Sequence, residues 1–173
     1  MAQTRIVLTV TGNDRPGLTS ALADAIVAAG GNWQEGHFSR LGGLYVGSVL
    51  VELDESKVGQ LDEGARALDI GDLRVVASRA RDDDGPQGQP FLFELVGADR
   101  PGIISQVTAA LAKLGANIES LSSHEEAAAW GGERLFRAEV LATLPEGIEP
   151  EAAQDALEAI SGEIMVDFSF EGG

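Results

Sequence analysis

Four consecutive residues, Asp-Arg-Pro-Gly, occur twice in this chain, at 14–17 and 99–102, and their surroundings are in register at an offset of 85 residues. Each copy follows an alternating apolar run (Ile6, Leu8, Val10; Phe91, Phe93, Leu95) and precedes apolar residues at helical spacing (Leu18, Leu22, Ile26; Ile103, Val107, Leu111). Both copies therefore sit where a half-buried strand gives way to an amphipathic helix. A duplication of this kind divides the 173 residues into two similar units. Each unit is near the size at which a lone hydrophobic core is only marginally sufficient.

Read in order, the first unit begins with a strand at 4–11, followed by a helix from Pro16 to about Ala29 that Gly30-Gly31 ends as a left-handed cap. A strand from about Asn32 to Leu41 turns tightly at Gly42-Gly43 and returns over 44–53, with Tyr45, Gly47, Val49, Val51 and Leu53 on one face. Asp54 is the expected N-cap of a helix reaching Ile70, and Leu73 to Arg79 forms a last strand. The polar, Gly- and Pro-containing stretch 81–89 reads as a linker between domains at 1–80 and 90–173. Gly12, Ser20, Gly30 and Asn32 recur as Gly97, Ser105, Gly115 and Asn117. The third strand recurs at an offset of 91, pairing Tyr45, Val49 and Leu53 with Phe136, Val140 and Leu144, so six extra residues lengthen the second hairpin. Trp130 lies at that tip, either packed or exposed to a partner. A helix over Glu151–Ile160, with Pro150 near its first turn, and a strand from Glu163 to Phe170 complete the unit. The order βαββαβ, written twice, is an α+β ferredoxin-like architecture with four-stranded antiparallel sheets and helices on one face.

A strand-to-helix corner of this type suits an anion. Proline fits a first helical turn, the next backbone N–H groups lack partners inside the helix, and the glycine lets a ligand or a neighbouring backbone come close. The same residues also describe a plain turn in which Asp14 or Asp99 caps its own helix.

The formal charge of −16, from 28 acidic and 12 basic residues, argues against direct contact with nucleic acid or an anionic membrane, both of which need cationic side chains to neutralise phosphate. A chain with no cysteine has no disulfide, thiolate nucleophile or thiolate metal site. Neither a leader peptide nor a membrane-spanning run is apparent, and a cytoplasmic location is expected.

With Asp-x-Pro-Gly between first strand and helix, and Gly-Gly-Asn or Gly-Ala-Asn after that helix, each unit resembles the ACT domain, a module that senses amino acids. Two such units in one chain resemble the glycine cleavage system transcriptional repressor family. The resemblance implies a ligand such as glycine or serine bound where ACT domains meet, a role without catalysis or cofactor, action through a protein partner such as a transcriptional activator, and a homo-oligomer. By position, the implied ligand-binding residues are Asn13, Asp14, Arg15, Gly17 and Leu18, with Ala98, Asp99, Arg100, Gly102 and Ile103 in the second unit, and Asn32 and Asn117 nearby. Helix N–H groups would take the α-carboxylate, Arg15 or Arg100 would add charge, and an acceptor such as Asn13 would take the ammonium group. Because Ala98 replaces Asn13, the first site is expected to bind better.

Two other functional classes compete. An enzyme would need a catalytic set, but the two histidines, His37 and His124, are not equivalent in the repeat and have no metal-ligand spacing. An assembly module would use the open edges of its sheets for pairing alone.

Overall fold

The computed structural model describes residues 2–68, 73–81, 85, 87–127, 134–160 and 164–169. The chain divides into two compact units, Met1–Asp83 and Asp84–Gly173. The first contains β1 (Gln3–Asn13), α1 (Leu18–Ala28), β2 (Asn32–Leu41), β3 (Leu44–Asp54), a 3₁₀ turn (Glu55–Lys57), α2 (Val58–Ala67) and β4 (Arg74–Arg79). The second contains β5 (Gln89–Ala98), α3 (Ile103–Lys113), β6 (Asn117–Ala127), β7 (Arg134–Leu144), α4 (Pro150–Glu158) and β8 (Ile164–Ser169). Each unit has one four-stranded antiparallel sheet, ordered β2-β3-β1-β4 and β6-β7-β5-β8. This is the ferredoxin-like order expected from the pattern of apolar residues.

The repeat is visible in the register. Leu8 pairs with Val49 and Ala77, while its counterpart Phe93 pairs with Val140 and Phe168. Alternate residues of the central strands enter the core with the apolar stripe of the first helix: Ile6, Leu8, Val49 and Val51 join Leu22 and Ile26, and Phe91, Phe93, Val140 and Ala142 join Val107 and Leu111. Each fully buried large side chain contributes about 1.5–3 kcal/mol of transfer free energy. Each unit thus has its own core cluster.

Local stops recur as well. After α1, the Gly31 amide donates to the Ile26 carbonyl and Gly30, at φ 73°, donates to Val27, both at 2.9 Å. After α3, Ala116 donates to Leu111 and Gly115 to Ala112, at 3.1 and 3.0 Å. These paired bonds make the Schellman ending, in which a left-handed residue lets the chain turn back over the last carbonyls. Gly42 and Gly43 both have positive φ, 59° and 86°, as a two-residue type I′ hairpin requires. The longer second hairpin joins Ala127 to Arg134. Its tip, including Trp130, lies outside the described residues.

Two expected boundaries shift, and each second strand carries an irregularity. The first helix begins at Leu18 rather than Pro16, because Gly17 is left-handed and no helix continues through it. The segment from Asp54 opens with the 3₁₀ turn before α2, although Asp54 does cap it, accepting from the Ser56 amide at 2.9 Å and from the Ser56 hydroxyl. Those bonds hold the Asp54 carboxyl below its ordinary pKa. A β-bulge, which periodicity alone does not reveal, interrupts each second strand between Trp33 and Glu35 and between Ile118 and Ser120. Its extra residue reaches the adjacent strand in both units: Gln34 donates to Glu52 at 3.2 Å, and Glu119 accepts from Thr143.

Candidate functional site

Each Asp-Arg-Pro-Gly corner is a turn ahead of a helix rather than a helix in itself. Gly17 has φ 91° and ψ −3°, and Gly102 has φ 91° and ψ 4°. Those angles belong to the third position of a type II turn, whose second position favours proline and whose third requires a residue free of Cβ strain. A Cβ on either glycine would meet nothing within 4 Å. The glycines therefore answer a dihedral requirement, and no neighbouring backbone crowds them. Pro16 and Pro101 serve the turn and precede the cap.

The first bond inside α1 runs from the Ala21 amide to the Gly17 carbonyl at 2.9 Å, and in α3 from Gln106 to Gly102 at 3.0 Å. The amides of Leu18, Thr19 and Ser20, and of Ile103, Ile104 and Ser105, thus have no acceptor within their own helices. They carry the positive end of the helix dipole, the feature that would attract a carboxylate. Leu18 and Ile103 are buried in the cores, so of these two candidates only the backbone can meet a ligand.

Neither aspartate caps its helix, since the capping residue is glycine. Asp14 instead ties the corner to the β2–β3 hairpin: its amide donates to the Gly43 carbonyl at 3.4 Å, and its carboxylate receives Arg40 Nε at 3.1 Å. The Asp99 amide donates to the Arg134 carbonyl at 2.9 Å. Arg100 reaches forward onto the helix that follows it, donating to Gln106 Oε1 at 2.8 Å. Asn13 ends β1 opposite Leu44, and Ala98 ends β5 opposite Leu135.

The asparagines are not near the corners of their own units. Asn32 pairs with Glu52, and Glu52 pairs with Arg5, eight residues along β1 from Asn13. At about 3.3 Å per residue the separation is roughly 26 Å. Asn117 is placed likewise, through Thr143 to Pro90. The helix between carries the chain back to the opposite end of the sheet, which adjacency in sequence conceals. One unit alone does not bring its asparagine and its corner to a common small ligand.

Two polar groups at the first corner were not among the expected site residues. Thr19 Oγ1 and the Tyr45 hydroxyl lie 2.7 Å apart, linking the first turn of α1 to β3. Tyr45 sits opposite Gly12 in the sheet, and its ring stacks on Phe38 at 5.4 Å, which in turn meets Trp33 at 5.4 Å. Glycines make room for this row: a Cβ at Gly36 would fall 2.7 Å from the Trp33 ring, and one at Gly47 would strike the Phe38 ring and the His37 carbonyl. Alternation marks Tyr45 as core-facing but does not show that its hydroxyl reaches a helix terminus.

The second corner lacks these features. Ile104 and Phe136 stand where Thr19 and Tyr45 do, and Glu125, bound to Arg134 at 2.6 Å, stands where Arg40 does. The histidines lie exposed on β2 and β6; His37 contacts Glu35 at 2.8 Å, and His124 approaches Glu126 at 3.9 Å. No group of three or more His, Asp or Glu able to hold a metal occurs among the described residues. No helix there is long and apolar enough to cross a membrane.

The ACT domain family matches residues 4–71 and again residues 92–161. The chain belongs to the ACT domain family, with two domains in tandem. No curated protein sequence matches this tandem ACT protein at a significant level. Its fold is similar to that of a crystallised unknown protein from Galdieria sulphuraria, with 26% identity, a TM-score of 0.85, and 99% of this chain and 100% of that chain covered. It is also similar in fold to a crystallised protein provisionally named a glycine cleavage system transcriptional repressor, with 18% identity, a TM-score of 0.72, and coverage of 99% and 100%.

Proposed function

We propose that this tandem ACT protein is a non-catalytic regulator that binds a small amino acid of the glycine or serine kind at its Asp-Arg-Pro-Gly corners. The observation that carries the reading is the duplicated backbone: two left-handed glycines within a few degrees of each other, each followed by three amides without an intrahelical acceptor. Such amides suit an α-carboxylate. Membership of the ACT family supports an amino-acid-sensing regulatory role, and the overall likeness to a provisionally named glycine cleavage repressor agrees with that role.

In this reading, bound amino acid stabilises one arrangement of the protein over another and so alters the surface offered to a partner, such as a transcriptional activator. A chain of net charge −16 suits a protein partner better than phosphate. The reading includes a cytoplasmic location and self-association.

Calorimetric titration of the full chain with glycine, serine and the branched-chain amino acids tests it. Saturable binding is expected, with a stabilisation of about 2.7 kcal/mol in thermal unfolding at ligand concentrations one hundred times Kd. Turnover of any of them would favour an enzyme. Absence of both binding and turnover would leave a duplicated assembly module.

A further inference from the structure

We propose that the outer face of the first domain's sheet, the side away from its helices, packs against the same face of a second copy of this chain. This rests on the self-association included above and gives it a surface. The register defines the face. Thr11 lies opposite Val46 and Arg74, Thr9 opposite Ser48 and Val76, and Val7 opposite Leu50 and Ser78. Across β3, Val46 lies opposite Ser39, Ser48 opposite His37, and Leu50 opposite Glu35. Residues directly opposite share a face. The middle of the face is therefore apolar and hydroxyl-bearing, and its two charged corners, Arg74 on β4 and Glu35 on β2, are both exposed.

Three features of this face fit a second copy. Knob and hollow occur together: Val76 stands 46% exposed on β4, and a hollow of about 150 Å³ lined by Val7, Glu35, His37, Ser48, Val49 and Leu50 opens toward β2. Opposite charges occupy diagonal corners. With strands about 4.8 Å and rows about 6.7 Å apart, Arg74 and Glu35 are separated by about 20 Å across the face. A twofold axis lying in the face and perpendicular to that diagonal sets Arg74 of each copy against Glu35 of the other. The same axis carries Val76 of each copy to a point between Val7 and Leu50 of the other, where the hollow is. Strands of the two sheets then cross at roughly 90°, one of the two ways in which sheets stack. The extent is also sufficient. A face of about 20 by 25 Å has a footprint of roughly 500 Å² before side-chain relief is counted, against about 600 Å² per partner at the low end of stable interfaces. A reversible, concentration-dependent dimer follows. In the second domain Glu94, Glu139 and Arg137 replace Thr9, Ser48 and Val46, with Glu94 directly opposite Glu139. Carboxylates in the middle of a face repel a copy of themselves, so the contact belongs to the first domain.

Sedimentation equilibrium on the full chain over a range of concentrations tests this, with melting curves recorded in parallel to verify the fold of each variant. The wild-type chain should dimerise reversibly. Val76→Glu should weaken the dimer tenfold or more, about the effect of forcing a charge against apolar groups, whereas Val27→Glu, on the exposed side of α1, should leave it unchanged. Arg74→Glu and Glu35→Arg should each weaken it about tenfold by creating two like-charge contacts, and the double reversal should restore it. A dimer unaffected by Val76→Glu, or single reversals that do not rescue each other, overturns this interface and leaves self-association standing. A wild-type chain that stays monomeric at every concentration overturns both.

Discussion

The two ACT domains share their backbone devices and differ in the side chains mounted on them. The left-handed glycine before the first helix, the Schellman ending after it, the bulge in the second strand and the register of the central strands all recur. The faces do not. On the side of the sheet away from the helices, the first domain carries Val46, with Leu41, Leu44 and Val76 exposed. The second places Arg137 at the position of Val46 and pairs it with Glu94 and Glu126 across three strands. Hydrogen bonds to those two carboxylates, Glu94 foremost, raise the Arg137 pKa above its ordinary value. Duplication therefore preserved what the chain path demands and left the surfaces free to diverge.

The largest expected difference between the domains lies in their cores. Phe93 and Leu8 occupy the same place and both are fully buried. Replacing Phe93 by alanine should cost about 3–5 kcal/mol and replacing Leu8 about 2–5, read from denaturant midpoints. Equal losses would show that the second core relaxes around the missing ring. Next comes Gly47→Ala, expected to cost about 1–3 kcal/mol because the new methyl meets the Phe38 ring and a backbone carbonyl. Its counterpart Ala138 already carries that methyl, with Ser123 where the first domain has Phe38. A Phe38→Ser background should relieve much of the strain; if it does not, the conflict is with the backbone.

Gly17→Ala and Gly102→Ala sharpen the other half of the comparison. Each should lose about 1–2 kcal/mol from the left-handed conformation alone, and the two losses should match, since nothing crowds either site. Unequal losses would reveal a contact particular to one corner. The smallest effect concerns acid. Asp54, bonded to Ser56, and Glu55, bonded to Arg79, are both held below their ordinary pKa values, while the second domain has Pro145 and Glu146 at these positions. Because the folded-state values lie below the unfolded ones, this stabilisation is complete at neutral pH and disappears as pH falls through the carboxylate range toward the lowered values. Trp33 fluorescence in a Trp130→Phe background should follow a steeper acid loss in the first domain, and Asp54→Asn should flatten it.

Local chemistry made much of this legible. Asp54 announced a cap, Gly30 and Gly115 announced helix endings, Gly42-Gly43 announced a two-residue hairpin, and alternation identified Ile6, Leu8 and Val10 as core. Pro16-Gly17 reads as the start of a helix but forms the turn before one, because proline is favoured in both settings and only the φ of Gly17 separates them. Asn32 was expected near the corner because it follows the same helix, yet the helix spans the sheet and leaves it at the other end. Nor does any local rule foresee that Tyr45 reaches Thr19, two residues beyond Gly17, from a strand placed beside β1.

The amino-acid sequence by itself determined the duplication, the βαββαβ order and the core-facing residues, since these follow from periodicity and from what proline, glycine and aspartate permit within a few residues. The tertiary structure alone decided which side chains share an end of the sheet. Strand register and the return path of a helix are set by packing across residues far apart in the chain, and they bring the Tyr45 hydroxyl to Thr19 while carrying Asn32 to the other end of the sheet.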